Sequence, residues 1–407
     1  MNYHPITILG AGPAGTTAAL ALSKRGESAV LIDQASFPRN KICGDALSGK
    51  VLLTLKRVDN QLVDEIRGLP SVLGSHGVVF FAPNGKALKV PFRREADLAN
   101  PPGYIMRRMD FDNWMYEKAS GAQGITTITG CRIERFRREG KQWIISDKDE
   151  KTVIRTDLII AADGAHSRFA KEVGGIRMED EHFCAAIRGY YKGVKELDPQ
   201  GFIELHFLKD FLPGYFWIFP MANGYANVGV GMRSDTISKK KVNLKEAMQR
   251  LMKEYEPFRR RFEGAELEGE LRGYGLPLGS KKRPVSGDGF MLLGDAGSLI
   301  DPFTGEGIGN AMISGLKAAE TVELCKGDFS AEKLLDYDRS VYKRLWPELH
   351  LSKRLQELVK YPVLFNIVVN KAVRSETLRE TFSCMFEDMD LRSRIKSPAF
   401  ILKVLLE

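Results

Sequence analysis

The sequence predicts an α/β protein in which a Rossmann-like nucleotide-binding domain carries an inserted antiparallel sheet, of α+β type, and is followed by C-terminal helices. Three observations predict this fold class. A glycine-rich turn at residues 10–15 stands between an apolar, strand-like stretch and a helical pattern. Residues 185–272 contain alternating apolar and polar stretches, and beyond Ser330 the apolar positions recur at helical spacing.

The glycine-rich turn has the residue types that dinucleotide binding requires. Gly10 permits the tight turn, Gly12 lets the backbone approach a pyrophosphate, and Gly15 allows close packing of helix on strand. A second apolar stretch delivers Asp33, roughly 20 residues downstream, where a carboxylate accepts from an unphosphorylated ribose hydroxyl. We therefore expect FAD or NAD rather than NADP; the alternative is a glycine turn without a ligand. The expected contacts in the turn are Gly10, Gly12, Pro13, Ala14 and Gly15.

Two later motifs favour FAD over NAD. Asp163 and Asp295 each follow an apolar stretch that predicts a strand, and ligands of open α/β sheets bind at the carboxyl ends of strands. Asp295 is expected to hold a ribityl hydroxyl, which NAD lacks. A glycine-rich segment then enters a helix predicted over residues 307–325, whose free N–H groups would stabilise a reduced isoalloxazine near N1 and O2. The expected contacts there are Gly305, Gly307 and Ile308. For Asp163, a turn aspartate bound to its own backbone is the alternative.

Composition narrows the class of protein. With 43% hydrophobic residues in 407, the chain can bury a substantial core. Five cysteines and six histidines are scattered without metal-ligand spacing, so we expect no metal site and a reducing cytoplasmic location. The first strand begins close to Met1 and no apolar run is long enough to span a bilayer, so neither a signal peptide nor a spanning helix is expected. The net charge of +8 comes without a basic module, which argues against nucleic acid.

The motifs divide the chain into three predicted units. The cofactor domain is expected to be discontinuous, because its motifs bracket unrelated stretches, and to comprise residues 1–75, 96–180 and 276–330. The antiparallel substrate domain is expected at residues 76–95 and 181–275, with one helix near 244–262. Residues 331–407 form the C-terminal helical region, which is either a lid or interfacial membrane anchor, or a cap packed on the core. The basic clusters 239–241 and 281–283 could bind anionic lipid or an acidic redox partner. The alternative is that they are solvated loops.

Two further segments connect the chain with a known family. The first is Arg39-Asn40-Lys41-Ile42-Cys43-Gly44, and the second is Tyr215-Phe216-Trp217-Ile218-Phe219-Pro220. With the three glycine motifs, they resemble the single-dinucleotide-domain flavoproteins of the p-hydroxybenzoate hydroxylase superfamily, and within it the geranylgeranyl reductase branch. The match covers most of the first 330 or so residues. Pro213 stands one residue nearer to Tyr215 than in the pattern of that branch.

The resemblance implies an FAD enzyme and assigns several residues. Arg39, Lys41, Cys43, Gly44 and Arg108 are implied to lie beside the cofactor. Cys43 is either the proton donor to the substrate or part of the cavity wall, since a small buried thiol often only packs. For Arg108 the alternative is an exposed cation at the start of a helix.

The preferred hypothesis is a reductase that saturates C=C bonds of a polyprenyl, geranylgeranyl-type lipid by hydride transfer from flavin N5. The candidate catalytic residues are Cys43, Tyr215 and Trp217; Tyr215 and Trp217 share one face of a strand and form an aromatic wall for a hydrophobic substrate. The reductant is expected to be NAD(P)H or a protein such as a ferredoxin, because no second glycine fingerprint exists. Peripheral contact with a membrane surface fits a lipid substrate.

Two other hypotheses remain open from the sequence. One is a flavin monooxygenase, or less so a halogenase, although the Gly214 to Pro220 segment departs from the halogenase Gly-Trp-x-Trp-x-Ile-Pro pattern and Ala296-Gly297-Ser298 from the Ala-Ala-His of aromatic hydroxylases. The other is a non-catalytic flavin or lipid carrier, since fold does not fix function.

Overall fold

The computed structural model describes residues 2–92 and 100–383 and confirms the predicted α/β fold class. The strands of the described residues are, in chain order, β1 (Asn2–Tyr3), β2 (Ile6–Leu9), β3 (Ala29–Ile32), β4 (Ala46–Leu47), β5 (Leu73–Ser75), β6 (Gly77–Phe81), β7 (Ala87–Pro91), β8 (Gly103–Ile105), β9 (Ile125–Ile128), β10 (Ile133–Glu139), β11 (Gln142–Asp147), β12 (Val153–Thr156), β13 (Leu158–Ala161), β14 (Phe183–Lys192), β15 (Ile203–His206), β16 (Tyr215–Pro220), β17 (Tyr225–Arg233), β18 (Glu266–Pro277), β19 (Ser286–Gly287) and β20 (Phe290–Leu292).

The α-helices of the same residues surround and connect the sheets. They are α1 (Pro13–Ser23), α2 (Gly49–Val58), α3 (Asn60–Arg67), α4 (Arg108–Ser120), α5 (Arg168–Glu172), α6 (Ser234–Lys240), α7 (Leu244–Glu254), α8 (Glu256–Phe262), α9 (Ile308–Cys325), α10 (Ala331–Leu358), α11 (Pro362–Arg374) and α12 (Glu376–Ser383). Across these residues, none of the helices combines the length and the apolar character needed to cross a lipid bilayer.

A six-stranded sheet forms the nucleotide-binding part, with the order β19-β20-β13-β2-β3-β9. The strands from β20 to β9 are parallel, and β2, β3 and β13 are buried along their whole length. A parallel sheet covered on both faces explains why these strands are apolar at every position rather than at alternate ones. Because all five strands run the same way, the residues that follow β2, β3, β13 and β20 meet at one edge.

A seven-stranded sheet lies opposite that edge, with the order β18-β14-β17-β16-β15-β6-β7. Its strands are antiparallel except for the parallel pair β6–β15. The hairpin β6–β7 joins the strands of residues 183–277 in this one sheet. The aromatic strand β16 lies in the middle of this sheet, where Phe216 and Ile218 belong to one hydrophobic cluster and Trp217 and Phe219 to another.

The single helix expected near residues 244–262 is two helices, so that expectation was wrong in detail. Tyr255 has extended backbone angles between α7 and α8. Pro257 stands in the first turn of α8. A proline there lacks the N–H of a continuous helix and its ring clashes with the preceding turn, which forces the break.

The C-terminal helices pack against the large sheet as far as the structure describes them. Phe365 of α11 is fully buried, with its ring 5.0 Å from the ring of Phe207, and α12 contacts β7. The apolar and basic terminus after Ser383 lies outside the described residues. Of the two basic clusters, the second is partly neutralised, because Lys281 and Arg283 both pair with Glu179.

Candidate active site

A cavity of about 580 Å³ lies between the carboxyl edge of the parallel sheet and the inner face of the large sheet. All the residues expected from the sequence line it except Gly15. They are Gly10, Gly12, Pro13, Ala14, Asp33, Arg39, Lys41, Cys43, Gly44, Arg108, Asp163, Tyr215, Trp217, Asp295, Gly305, Gly307 and Ile308. Segments that lie far apart in the sequence therefore form one site.

The turn between β2 and α1 is shaped by backbone contacts that only glycine permits. A Cβ on Gly10, whose φ is +96°, would lie 2.4 Å from the carbonyl oxygen of Ala162. A Cβ on Gly15 would lie 1.8 Å from the carbonyl oxygen of Gly10, so Gly15 serves packing, although it does not line the cavity. At the start of α1, Gly12 offers no capping side chain and the first turn holds no acidic residue. The free N–H groups of this helix end suit a phosphate.

Asp33 ties the glycine turn to the end of β3. Its Oδ2 accepts from the backbone N–H of Ala11 at 2.7 Å and its Oδ1 accepts from that of Ala35 at 2.8 Å. A carboxylate has about four acceptor positions, so Asp33 retains the capacity to bind a ribose hydroxyl as well.

Two other carboxylates face the cavity with unused acceptor capacity. Oδ1 of Asp163 is buried, and no group of the described residues donates to it; burial raises the pKa of Asp163 to about 6. Burial also raises the pKa of Asp295, against the opposing influence of Lys41 and Arg108. An acceptor held out of water without a donor, as Oδ1 of Asp163 is, fits a ligand rich in hydroxyl groups. With the phosphate-binding turn, these carboxylates fit FAD.

The loop before α9 is held from inside by its own side chains. Asp301 accepts from the backbone N–H groups of Phe303 and Thr304 at 3.0 and 2.8 Å. Tyr215 on β16 donates its hydroxyl to the carbonyl oxygen of Thr304, which fixes this loop against the large sheet. Gly307, at the N-cap of α9, provides no capping side chain. The N–H of Gly309 donates to Glu306 at 2.7 Å, so this helix end has its other first-turn N–H groups to offer to the cavity.

The segment that contains Cys43 is fastened to the large sheet by Asn227. The side-chain amide of Asn227 donates to the carbonyl oxygen of Cys43 and to Oδ2 of Asp45, each at 2.8 Å. Its oxygen accepts from the indole N–H of Trp217 at 2.9 Å. A Cβ on Gly44 would lie 3.0 Å from the ring of Phe219, so backbone and aromatic wall are in contact.

Arg108 is buried, which excludes the alternative of an exposed helix-start cation. Its guanidinium makes a two-point ion pair with Asp112, at 2.6 and 2.8 Å, and Arg39 pairs with the same carboxylate at 3.0 Å. Arg108 also interacts electrostatically with Cys43. A charged group locked in this way stands beside the thiol with a fixed orientation.

Lys41 stands two residues before Cys43 in the same segment. Its Nζ sits 3.4 Å from the ring centre of Tyr274, a cation–π contact. Burial lowers the pKa of Lys41 to about 8, although the nearby Asp295 favours its charged form. The ammonium group is therefore charged at neutral pH and loses its proton in mildly alkaline solution.

Sequence reasoning missed Arg188 of β14 and Tyr274 of β18, which line the cavity, and two residues of β17 that contact its aromatic wall. Asn227 and Gly229 on β17 support the aromatic strand, and a Cβ on Gly229 would lie only 2.2 Å from the ring of Trp217. The signal was available, because Gly229-Val230-Gly231 interrupts an apolar strand and glycine within a strand marks close approach. Arg188 and Tyr274 carried no such local signal.

Comparison with known proteins agrees with this geometry. Residues 3–188 match the family model of the FAD binding domain, and residues 185–267 match that of the geranylgeranyl reductase catalytic domain. A menaquinone reductase of Mycobacterium tuberculosis is 28% identical over 379 residues, which cover 88% of this chain and 84% of the relative. A digeranylgeranylglycerophospholipid reductase of Methanosarcina acetivorans is 29% identical over 358 residues, which cover 85% and 81%.

Solved structures share the whole fold. A geranylgeranyl bacteriochlorophyll reductase-like protein of Thermoplasma acidophilum superposes with a TM-score of 0.80 at 23% identity, covering 100% of this chain and 96% of the other. A flavin-dependent brominase gives 0.79 at 21% identity, covering 100% and 98%. At these identities the likeness concerns the fold alone.

The fold, the phosphate-binding turn and the carboxylates of the cavity define an FAD-dependent oxidoreductase. Within that class, the chain is of the geranylgeranyl reductase type, because residues 185–267 match the catalytic domain of those reductases and residues 3–188 match an FAD binding domain. The resemblance found in the sequence is thereby confirmed.

Proposed function

We propose that this protein reduces C=C bonds in the prenyl chain of a lipid, with FAD as its redox cofactor. The observation that carries the proposal is that one wall of the cavity is aromatic and aliphatic, apart from the residues that fit FAD. It includes Phe207, Trp217, Phe219, Phe303 and Val359. Such a wall buries hydrocarbon without leaving polar groups unpaired.

The names of the relatives support the same class of substrate. Menaquinone reductase and digeranylgeranylglycerophospholipid reductase both denote reductases of molecules that carry prenyl chains. The catalytic-domain match to the geranylgeranyl reductases spans strands β14 to β17, which contribute the wall of the cavity. A prenyl chain is therefore the substrate class that both the wall and the relatives favour.

Reduction of an isolated double bond needs a hydride at one carbon and a proton at the other. Bound FAD, when reduced, supplies the hydride from its N5 position. We assign the proton to the thiol of Cys43, because it lines the cavity and interacts electrostatically with Arg108. The guanidinium would stabilise the thiolate that remains after the proton has left. Because Asp112 locks Arg108, this stabilisation costs no reorganisation.

Neighbouring residues hold the reacting groups in place. Asn227 fixes the backbone of Cys43 through its carbonyl oxygen, and Tyr215 fixes the loop before α9 through Thr304. In this proposal Trp217 forms part of the hydrocarbon wall, and the hydroxyl of Tyr215 is a positioning group. Burial raises the pKa of Tyr215, so its hydroxyl keeps its proton and remains a donor.

We propose NAD(P)H or a ferredoxin as the source of electrons, and contact with a membrane surface as the route of lipid entry. Anaerobic mixing of the holoprotein with each reductant, followed by the loss of oxidised-flavin absorbance, distinguishes the two sources. Flotation with vesicles that contain anionic phospholipid tests the membrane contact.

The function is tested by mass spectrometry of prenyl lipids incubated anaerobically with dithionite-reduced holoprotein. We expect products whose masses rise by pairs of hydrogen atoms, and no such products with flavin alone. Bound but unchanged lipid would favour a carrier. Oxygen or halogen incorporation in air, without hydrogenation, would favour a monooxygenase or halogenase.

A further inference from the structure

Arg188 is a buried cation of the cavity that the chemistry above does not use. It lies on β14, lines the cavity and is only 3% exposed. No residue within the described ranges accepts a hydrogen bond from its Nε or Nη2, and none forms an ion pair with it. Its guanidinium carbon lies 4.1 Å from the centre of the Tyr190 ring.

One acidic group interacts with this arginine through its charge but accepts no hydrogen bond from its Nε or Nη2. Asp45 influences Arg188 electrostatically, but its oxygens accept from Asn227 at 2.8 Å and from the backbone N–H of Arg108 at 3.2 Å. Tyr190 also donates to Asp45. A guanidinium held out of water with unused N–H donors is costly unless a ligand supplies acceptors. Planar oxyanions such as carboxylate, and phosphate, match its geometry best.

A second cation lies close by on the same face of the large sheet. Tyr274 of β18 stands opposite Ala186, two residues before Arg188 on β14, and Lys41 sits over the Tyr274 ring. Lys41 has no ion-pair partner in the part of the chain that the structure describes. Burial raises the pKa of Tyr274 to about 12, so its hydroxyl keeps its proton. One end of the cavity therefore presents two positive charges and a hydroxyl.

The other side of Arg188 is apolar. Gly229 separates Arg188 from Trp217 in one cross-strand row, since Gly229 pairs with both residues. The Trp217 ring lies over Gly229, and Phe207 and Phe303 continue the apolar wall. The cavity thus joins a cationic end directly to a hydrocarbon wall, which suits a molecule with an anionic head and an apolar chain.

We propose that Arg188, with Lys41 beside it, forms a subsite for a phosphate-type anion within the cavity. The inference rests on the proposed function, because the hydrocarbon part of the ligand would lie along Trp217. Two sources carry this chemistry: the phosphate head of the prenyl substrate, and the phosphate of a nicotinamide reductant. In either case Arg188 determines specificity, because it binds the charged group of the ligand and takes no part in the reaction at the carbon atoms.

The experiment compares the wild-type holoprotein with Arg188→Met, which keeps the length of the side chain and removes its charge and donors. Arg272→Met is the matched control, because Arg272 pairs with Arg188 across the strands but is 45% exposed and hydrogen-bonded to Glu270. Binding of geranylgeranyl diphosphate and of geranylgeraniol is followed by the shift of the oxidised-flavin spectrum, which needs no turnover. Because the spectral shift measures binding alone, it tests the anion subsite even if the protein is not a reductase.

We expect Arg188→Met to weaken diphosphate binding roughly ten- to a hundredfold and to change alcohol binding less than about twofold. Arg272→Met should bind both ligands as the wild type does. If Arg188 instead binds the phosphate of the nicotinamide reductant, Arg188→Met slows flavin reduction by NADPH by a similar factor. Reduction by dithionite is then unchanged.

Three results would overturn the proposal. Unchanged diphosphate binding together with unchanged reduction by NADPH would remove the anion subsite. Equal loss of diphosphate and alcohol binding would make Arg188 part of the wall, and loss of FAD from the purified variant would place it in the cofactor site. Should Arg188→Met fail to fold, Arg188→Lys takes its place, for which a smaller loss confined to the diphosphate is expected.

Discussion

The side-chain amide of Asn227 donates to the carbonyl oxygen of Cys43 at 2.8 Å and joins two segments that stand 184 positions apart in the chain. The same amide group holds Asp45 and accepts from Trp217. One buried side chain therefore sets the distance between the cysteine segment and the aromatic wall of the cavity.

We predict that Asn227→Ala lowers the free energy of unfolding by about 1–3 kcal/mol, since it leaves buried groups without partners. Turnover should fall by more than FAD content, because Cys43 loses its anchor. Urea unfolding and flavin absorbance per protein measure the two effects. The control is Asn113→Ala on the exposed face of α4, where Asn113 bonds only to Glu117 among the described contacts. Equal effects of the two substitutions would contradict the anchoring role.

Gly229→Ala should deform the aromatic wall. The added methyl group would lie 2.2 Å from the Trp217 ring, and overpacking of this kind costs about 1–3 kcal/mol. We expect a lower midpoint in urea, a changed tryptophan emission spectrum and weaker binding of prenyl alcohol. Gly273→Ala, in the same sheet, is the control, because its Cβ would have an ordinary contact of 3.5 Å. A wild-type emission spectrum and urea midpoint for Gly229→Ala would show that the methyl group is accommodated without deforming the wall.

Cys43→Ala removes the proposed proton donor. We expect FAD to stay bound and the rate of double-bond reduction to fall by a factor of about 10² or more, the usual contribution of a positioned acid. Single-turnover oxidation of the reduced flavin by prenyl lipid measures this step directly. Cys325→Ala, at the buried end of α9, is the control for loss of a thiol. Full turnover without Cys43 would show that the thiol is not the proton donor and only forms part of the cavity wall.

Asp163 predicts a pH dependence of stability in the FAD-free protein. Its pKa is raised from 3.8 to about 6 on folding, so the folded state binds the proton more tightly than the unfolded state. The group therefore opposes folding increasingly as pH rises from 3.8 through 6, and the whole cost is present at pH 7. Asp163→Asn should raise stability by roughly 1–3 kcal/mol at pH 7 and by nothing below pH 3.8.

Thermal unfolding of the two apoproteins between pH 3.5 and 8 tests this prediction, and FAD affinity is measured beside it. We expect Asp163→Asn to bind FAD more weakly while it unfolds at a higher temperature at pH 7. A parallel pH profile for the two proteins would mean that Asp163 is hydrated in the folded state and carries no such cost.

Local patterns in the sequence determined the elements and the cofactor class. The run of apolar residues before Gly10, and the same pattern before Asp163 and Asp295, indicated parallel strands, because buried strands in such a sheet are apolar at every position. The order of those motifs, with the segment around Cys43, sufficed for the family. Each of these signals lies within a few consecutive residues, where backbone preference and side-chain periodicity act directly.

Only the tertiary structure decided how the cavity is completed. It buried the helix pair Arg108 and Asp112, placed Asn227 against Cys43, and left Arg188 buried beside Trp217 without an acceptor among the described residues. Strand register brought Arg188 and Trp217 to one face of the large sheet, since it aligns residues of distant segments. Register depends on the packing of whole sheets against each other, and no local stretch of sequence contains that information.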